Sequence, residues 1–150
     1  MYTTVLFLHS WVRWIVLVTG AVAFARATTG GGRPWTGADD RAMLVFTIAL
    51  DVQLLLGLLL YVVLSPTVGL AFENMRVAMQ TTSIRFFVVE HAIGMFLAVA
   101  AAHVGRIRIR RAVPEAKRRN AAIFSGVSLL VMLIAMPWPG LPYARPLFRV

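Results

Sequence analysis

Residues 42–64 read AMLVFTIALDVQLLLGLLLYVVL, an apolar run whose strongly polar members are Asp51 and Gln53. Roughly twenty such residues, rising about 1.5 Å each, cross the hydrocarbon core of a bilayer as a helix. A helix apolar on every side belongs in a membrane or in the core of a large protein, and this chain has 150 residues. Further runs of the same kind lie on either side. One covers about residues 4–25 and is interrupted by His9 and Arg13. Another covers 84–104 and contains Arg85, Glu90, His91 and His103. A last one covers 121–138 and is closed by Pro137, Pro139 and Pro142. The expected fold class is an all-α membrane protein, an up-down-up-down four-helix transmembrane bundle forming a single membrane domain over residues 1–150.

Composition agrees. Hydrophobic residues make up 59% and charged residues 14%, against about a quarter charged in soluble domains; mean hydropathy is +0.78. Net charge is +9, from 15 Lys+Arg against 6 Asp+Glu. In a soluble protein this would suggest nucleic acid. Here the cations sit between apolar spans, so anionic headgroups and topology account for them and no nucleic-acid partner is expected. The absence of cysteine excludes disulfides, thiolate zinc sites, cysteine-ligated iron–sulfur clusters and c-type haem attachment. The first run lacks a basic segment and a small-residue cleavage site, and is expected to be retained as a helix. There is no P-loop, G-x-G-x-x-G, H-E-x-x-H or G-x-S-x-G motif, so nothing points to a hydrolase or nucleotide site. Nor is there a matched pair of broken helices of the transporter kind.

The connections suit this layout. Residues 28–40 hold Gly30-Gly31-Gly32 and Pro34, a flexible link, and Asp39 and Asp40 are placed to cap the second helix. Ser65-Pro66 ends that helix. Residues 70–79 suit a short piece along the membrane surface, Thr81, Thr82 and Ser83 offer caps for the third helix, and residues 106–120 read as a basic loop. Arg26, Arg33 and Arg41, with Arg106, Arg108, Arg110, Arg111, Lys117, Arg118 and Arg119, fall on one side; Arg76, Arg85, Arg145 and Arg149 fall on the other. The positive-inside rule then places the basic loops in the cytoplasm and both termini on the outer, periplasmic side of a bacterial inner membrane.

Ionisable residues inside spans are costly and mark candidate sites. The first and third helices run in the same direction, and His9 and His91 differ in depth by only about 3 Å. In such a bundle these helices are diagonal partners, their axes roughly 12–14 Å apart. That gap suits a flat macrocycle with an axial imidazole from each side, which is what haem iron takes. Gly94 and Ala98 on the face of His91, and the stripe Gln53, Gly57, Tyr61 on the second helix, offer room. The bland alternative is that each histidine bonds a neighbouring backbone. His103 cannot share an iron with His91, twelve residues away, and reads as an interfacial histidine. Arg13, one turn below His9, is expected to pair with Asp51, a propionate or a carbonyl. Arg85 is placed to meet Glu90, an anionic group or the interface. Trp11, Trp14, Trp35, Trp138 and Tyr143 make an aromatic belt, and Met132 and Met136 read as packing.

At these residues the chain resembles a family of small four-span bacterial membrane proteins described as cytochrome b-like. The resembling segments are Leu8-His9-Ser10 with Arg13-Trp14, Gln53-Leu54-Leu55-Leu56-Gly57 with Tyr61, Arg85-Phe86-Phe87 with Glu90-His91, Gly105-Arg106, and Pro137-Trp138-Pro139. They extend over most of the chain. The resemblance implies b-type haem or quinone-linked electron transfer within a larger membrane complex. It makes His9 and His91 the iron ligands, and Arg13, Arg85, Gly57 and Gly94 join them as cofactor-binding candidates. Asp51 departs from the family, where histidine is common. Two rival expectations stand beside this one: a cofactor-free structural subunit of a membrane complex, and a quinone-binding subunit using Glu90, His91, Arg13 and Asp51.

Overall fold

The computed structural model describes residues 1–148, and among them there is helix and no strand. Helix α1 covers Tyr2–Thr29. Helix α2, Gly37–Leu59, continues through a π-helical turn, Leu60–Leu64. Two short helices follow, α3 (Pro66–Glu73) and α4 (Met75–Gln80). Helix α5, Thr82–Arg85, passes through a second π-helical turn, Phe86–Glu90, into α6, His91–Arg111. Helix α7 is Pro114–Ile134. Counted across the π turns, Tyr2–Thr29, Gly37–Leu64 and Thr82–Arg111 are each long and apolar enough to span a membrane.

The last expected span differs. Its helix begins earlier, at Pro114, and stops at Ile134, short of Trp138. The first turns carry Lys117, Arg118 and Arg119, so the apolar part runs only from Ala121 and is shorter than the roughly twenty residues a hydrocarbon core requires. Pro137 explains the stop. It has no N–H for the ladder and disfavours helical geometry in the residue before it. Residues 135–148 then fold back irregularly over the end of the molecule that holds His9 and His91. Backbone without a helix is tolerated at membrane depth only where protein satisfies its carbonyls, and side chains do so here. Arg13 and Trp14 both donate to the Leu147 carbonyl, His91 Nδ1 lies 2.8 Å from the Ala135 carbonyl, and Trp138 Nε1 reaches the Leu133 carbonyl at 2.7 Å. Trp14 stacks on Phe148, and Tyr143 on Phe86.

Helix α1 packs on α2 and α7, and α6 packs on the same two. Small residues permit the close approach. A Cβ on Gly105 would lie 2.5 Å from Phe124, and Ser128 Oγ donates to the Ala98 carbonyl at 2.8 Å. Phe46, Met43, Leu50, Ile109 and Met132 fill the centre.

At the opposite end, Asp39 exceeds its expected role. It closes a capping box with Thr36, and its fully buried carboxylate meets Arg26 at 3.0 Å and Arg33 at 2.7 Å, with Arg118 at 3.9 Å. Arg118 also donates to the Arg26 carbonyl at 2.7 Å, closing the end of α1. This cluster ties down the glycine-rich link. The basic loop expected over 106–120 is instead the short Ala112–Val113 connection, with its cations carried on the ends of α6 and α7. The Gly37–Leu64 helix ends before Ser65-Pro66 as expected, Ser65 also caps α3, and the surface piece becomes α3 and α4, broken at Asn74. Thr81 occupies a cap position, but its hydroxyl turns back to the Val77 carbonyl, so the expected side-chain caps at Thr81, Thr82 and Ser83 do not form. Arg149, counted among the cations on the outer side, lies outside the described residues.

A cavity lined by histidine and arginine

The two π turns build the site. A π turn widens the helix by one residue and redirects the side chains around it. Tyr61, on the first turn, donates its hydroxyl to the Val88 carbonyl on the second at 2.9 Å. The joined turns form one wall of a cavity of about 540 Å³, a size typical of small-molecule sites. Its walls are mainly aliphatic and aromatic. Its polar and charged lining includes His9, Arg13, Gln53, Tyr61, His91 and Arg145, and among the described residues no lining side chain is acidic.

His9 comes from α1 and His91 from the start of α6, immediately after the π turn. Their ring centroids are 6.3 Å apart and their planes 75° apart. The Ala135 carbonyl can only accept, so His91 carries its proton on Nδ1, and Nε2 keeps its lone pair. This is the arrangement of metal-ligating histidines, whose second nitrogen is oriented by an acceptor. Phe86 and Phe87 flank the ring. Gln53 holds His9 from the other side: its amide nitrogen lies 2.9 Å from the His9 carbonyl and 3.3 Å from His9 Nε2. His9 Nδ1 and Gln53 Oε1 are buried without a partner. Gly57 makes room for this ring, since a Cβ there would come within 3.2 Å of His9 Cε1.

The other expected site residues divide. Arg13 lines the cavity and bonds Ser10 and the Leu147 carbonyl rather than Asp51. Asp51 lies on the outward side of α2, bonded to His103 on α6 at 2.8 Å. Asp51 is therefore outside the cavity. Arg85 pairs with Glu90 at 2.9 Å, with both side chains well exposed, and is absent from the lining. Gly94 packs against Ala135, and a Cβ there would lie 2.5 Å from the Ala135 methyl. It positions the C-terminal segment rather than a ligand. Met132 and Met136 are buried, as expected, and also reach the cavity wall.

Arg145 was not legible as a site residue. It returns on the irregular segment after the prolines, its guanidinium 4.9 Å from the centre of the Phe87 ring, and lines the cavity together with Pro146. The available signal was a lone cation after a proline cluster, which resembles any interfacial arginine.

No family model, curated protein or solved structure matches the chain.

The residues present fit a haem. With metal–imidazole bonds of about 2 Å, two axial rings stand with centroids about 6 Å apart, the separation found here. His91 offers Nε2 directly. For His9 to offer Nδ1, its proton must move to Nε2. Gln53 Oε1, itself without a partner, can accept that N–H after rotation of its amide. The Arg13 and Arg145 guanidinium groups, both in the lining, are of the kind that binds propionates.

Proposed function

We propose that this chain is a multi-pass membrane subunit that holds a b-type haem between His9 and His91 and passes electrons within a larger complex. The observation that carries this reading is the pairing of two imidazoles 6.3 Å apart in a largely apolar cavity that also contains two arginines. In this reading α7 and the segment after it complete a fourth span, giving an up-down-up-down bundle. Its basic helix ends face the cytoplasm and both termini the periplasmic side of a bacterial inner membrane.

Haem, when bound, supplies one-electron transfer. The chain does the rest. The Ala135 carbonyl fixes the orientation of His91, and Gln53 together with the gap at Gly57 fixes that of His9. Arg13 and Arg145 bind anionic groups and favour electron-rich states more than a neutral wall would, through the positive charge they place in a low dielectric. Aliphatic walls and the C-terminal segment exclude water.

The test is a dithionite-reduced minus oxidised absorption spectrum of the purified protein, expressed with ample haem, beside His91→Ala. Sharp b-type bands, lost in the variant, are expected. A band-free wild-type protein sinks the reading and leaves a structural subunit or a quinone site. A quinone is the second reading, and the tautomers favour it specifically. As they stand, His9 Nδ1 is a donor and His91 Nε2 an acceptor, the complement of a quinone oxygen and a quinol hydroxyl. It predicts a copurifying quinone without haem bands.

A further inference from the structure

Asp51 lies at the centre of the Gly37–Leu64 helix, about 20 Å from either end. Its partner His103 lies on the neighbouring antiparallel helix: Arg106 of α6 reaches the Asp40 carbonyl at one end of α2, and Tyr61 reaches Val88 at the other. Although bonded to each other, the two side chains are 41% and 52% exposed, and they point away from the body of the molecule. Around them are Ile48, Leu55, Phe96 and Ile107, all exposed and apolar. An ionisable pair on a lipid-facing surface is costly, and such groups ordinarily face protein or water. Neither residue lines the cavity.

The pair is half satisfied. Among the described residues, Asp51 Oδ2 and His103 Nδ1 have no hydrogen-bond partner. The carboxylate oxygen is an acceptor, and Nδ1 is a donor in the imidazolium form, in which both ring nitrogens carry hydrogen and the pair is ionic; the two lie at one depth. A twofold axis along the membrane normal brings His103 of one copy against Asp51 of another, and the reverse, since an isologous interface pairs residue i with j and j with i. Ala100, exposed one turn before His103, allows close approach of the helices. We propose that the α2–α6 face is a homodimer interface, with Asp51 and His103 of two copies forming a closed four-member hydrogen-bonded ring. This inference is independent of what the cavity holds.

The chain has no native cysteine, so single cysteines report contacts cleanly. Oxidising membranes that carry Ala100→Cys or Ile48→Cys should give disulfide-linked dimers, whereas Val18→Cys, exposed on α1, should not. Asp51→Asn and His103→Ala should each weaken self-association in lipid nanodiscs by about eightfold, the effect of losing two interhelical bonds of ordinary membrane strength. Co-expressing the two variants with different tags restores one cross-pair, so the mixed dimer should exceed each homodimer by clearly more than the twofold excess of random pairing. A monomer at every protein density overturns the proposal. So do dimers crosslinked through Val18→Cys, or an association that neither variant changes. The mixed-dimer arm separates a lost interface from a merely misfolded variant, because a folding defect would not be relieved by pairing.

Discussion

His9 and His91 occupy similar surroundings but are held differently, and that difference sets what each substitution does. His91 is anchored by a backbone carbonyl that belongs to the irregular segment, so His91→Ala removes both a candidate ligand and a support for Ala135. His9 is anchored by Gln53 and the space above Gly57. Gly57→Val should therefore displace the His9 ring without touching His91. The expected result is loss of the b-type bands at near-normal thermal stability, read by difference spectroscopy and a melting curve in detergent. Arg13 is mixed in role. Arg13→Ala leaves the Leu147 carbonyl with Trp14 alone. The cost should be about 1–3 kcal/mol of stability, seen as a lowered midpoint even in protein without cofactor. Both histidines and Arg13 were legible in the sequence, because an ionisable residue in an apolar run stands out. Arg145 was not, because outside such a run an arginine carries no mark.

Among the elements, the sequence shows where the long helices lie but not all of their ends, which at α6 and α7 differ by up to seven residues, and it does not show the π turns. Helical periodicity and length are carried by many residues, whereas a π turn is one inserted residue with no composition of its own. The break at Ile134 was foreseeable from Pro137, but the prolines were taken to close a completed span rather than to leave one unfinished. The Arg13–Asp51 pairing failed on depth: the geometry instead turns Asp51 outward to His103. Helix contacts here are made through small groups, so Ser128→Ala should cost only about 0.6 kcal/mol, the ordinary strength of an interhelical hydrogen bond in a bilayer. Gly105→Leu should be far worse, since Phe124 already occupies the space. Comparing the two by thermal unfolding distinguishes close packing from polar bonding as the main cohesive force between α6 and α7.

For the whole molecule, the strongest tie among charges is the buried Asp39 with Arg26 and Arg33. Asp39→Asn would remove the carboxylate that both cations share, but Arg26 and Arg33 are themselves more than a third exposed and solvent can take its place, so a modest drop in the melting midpoint is expected. The same end of the molecule carries most of the positive charge, which sets the expected orientation. Glu73→Cys in intact cells should react with a membrane-impermeant maleimide, and Gly31→Cys only after the cells are opened. The opposite pattern would invert the topology.

The cavity wall joins Arg13 to Leu147 across 134 positions of sequence, and Tyr2 and Leu6 share it with Arg145 and Pro146. During synthesis the early helices stand in the membrane as an open trough long before the closing segment leaves the ribosome. On the haem-binding reading, a bulky guest would enter sideways in that interval, without any opening motion of the finished protein. Loading is then a matter of timing in biogenesis, and a chain stopped before residue 135 would present its histidines to the lipid from one side, still able to collect a guest but not to seal it in.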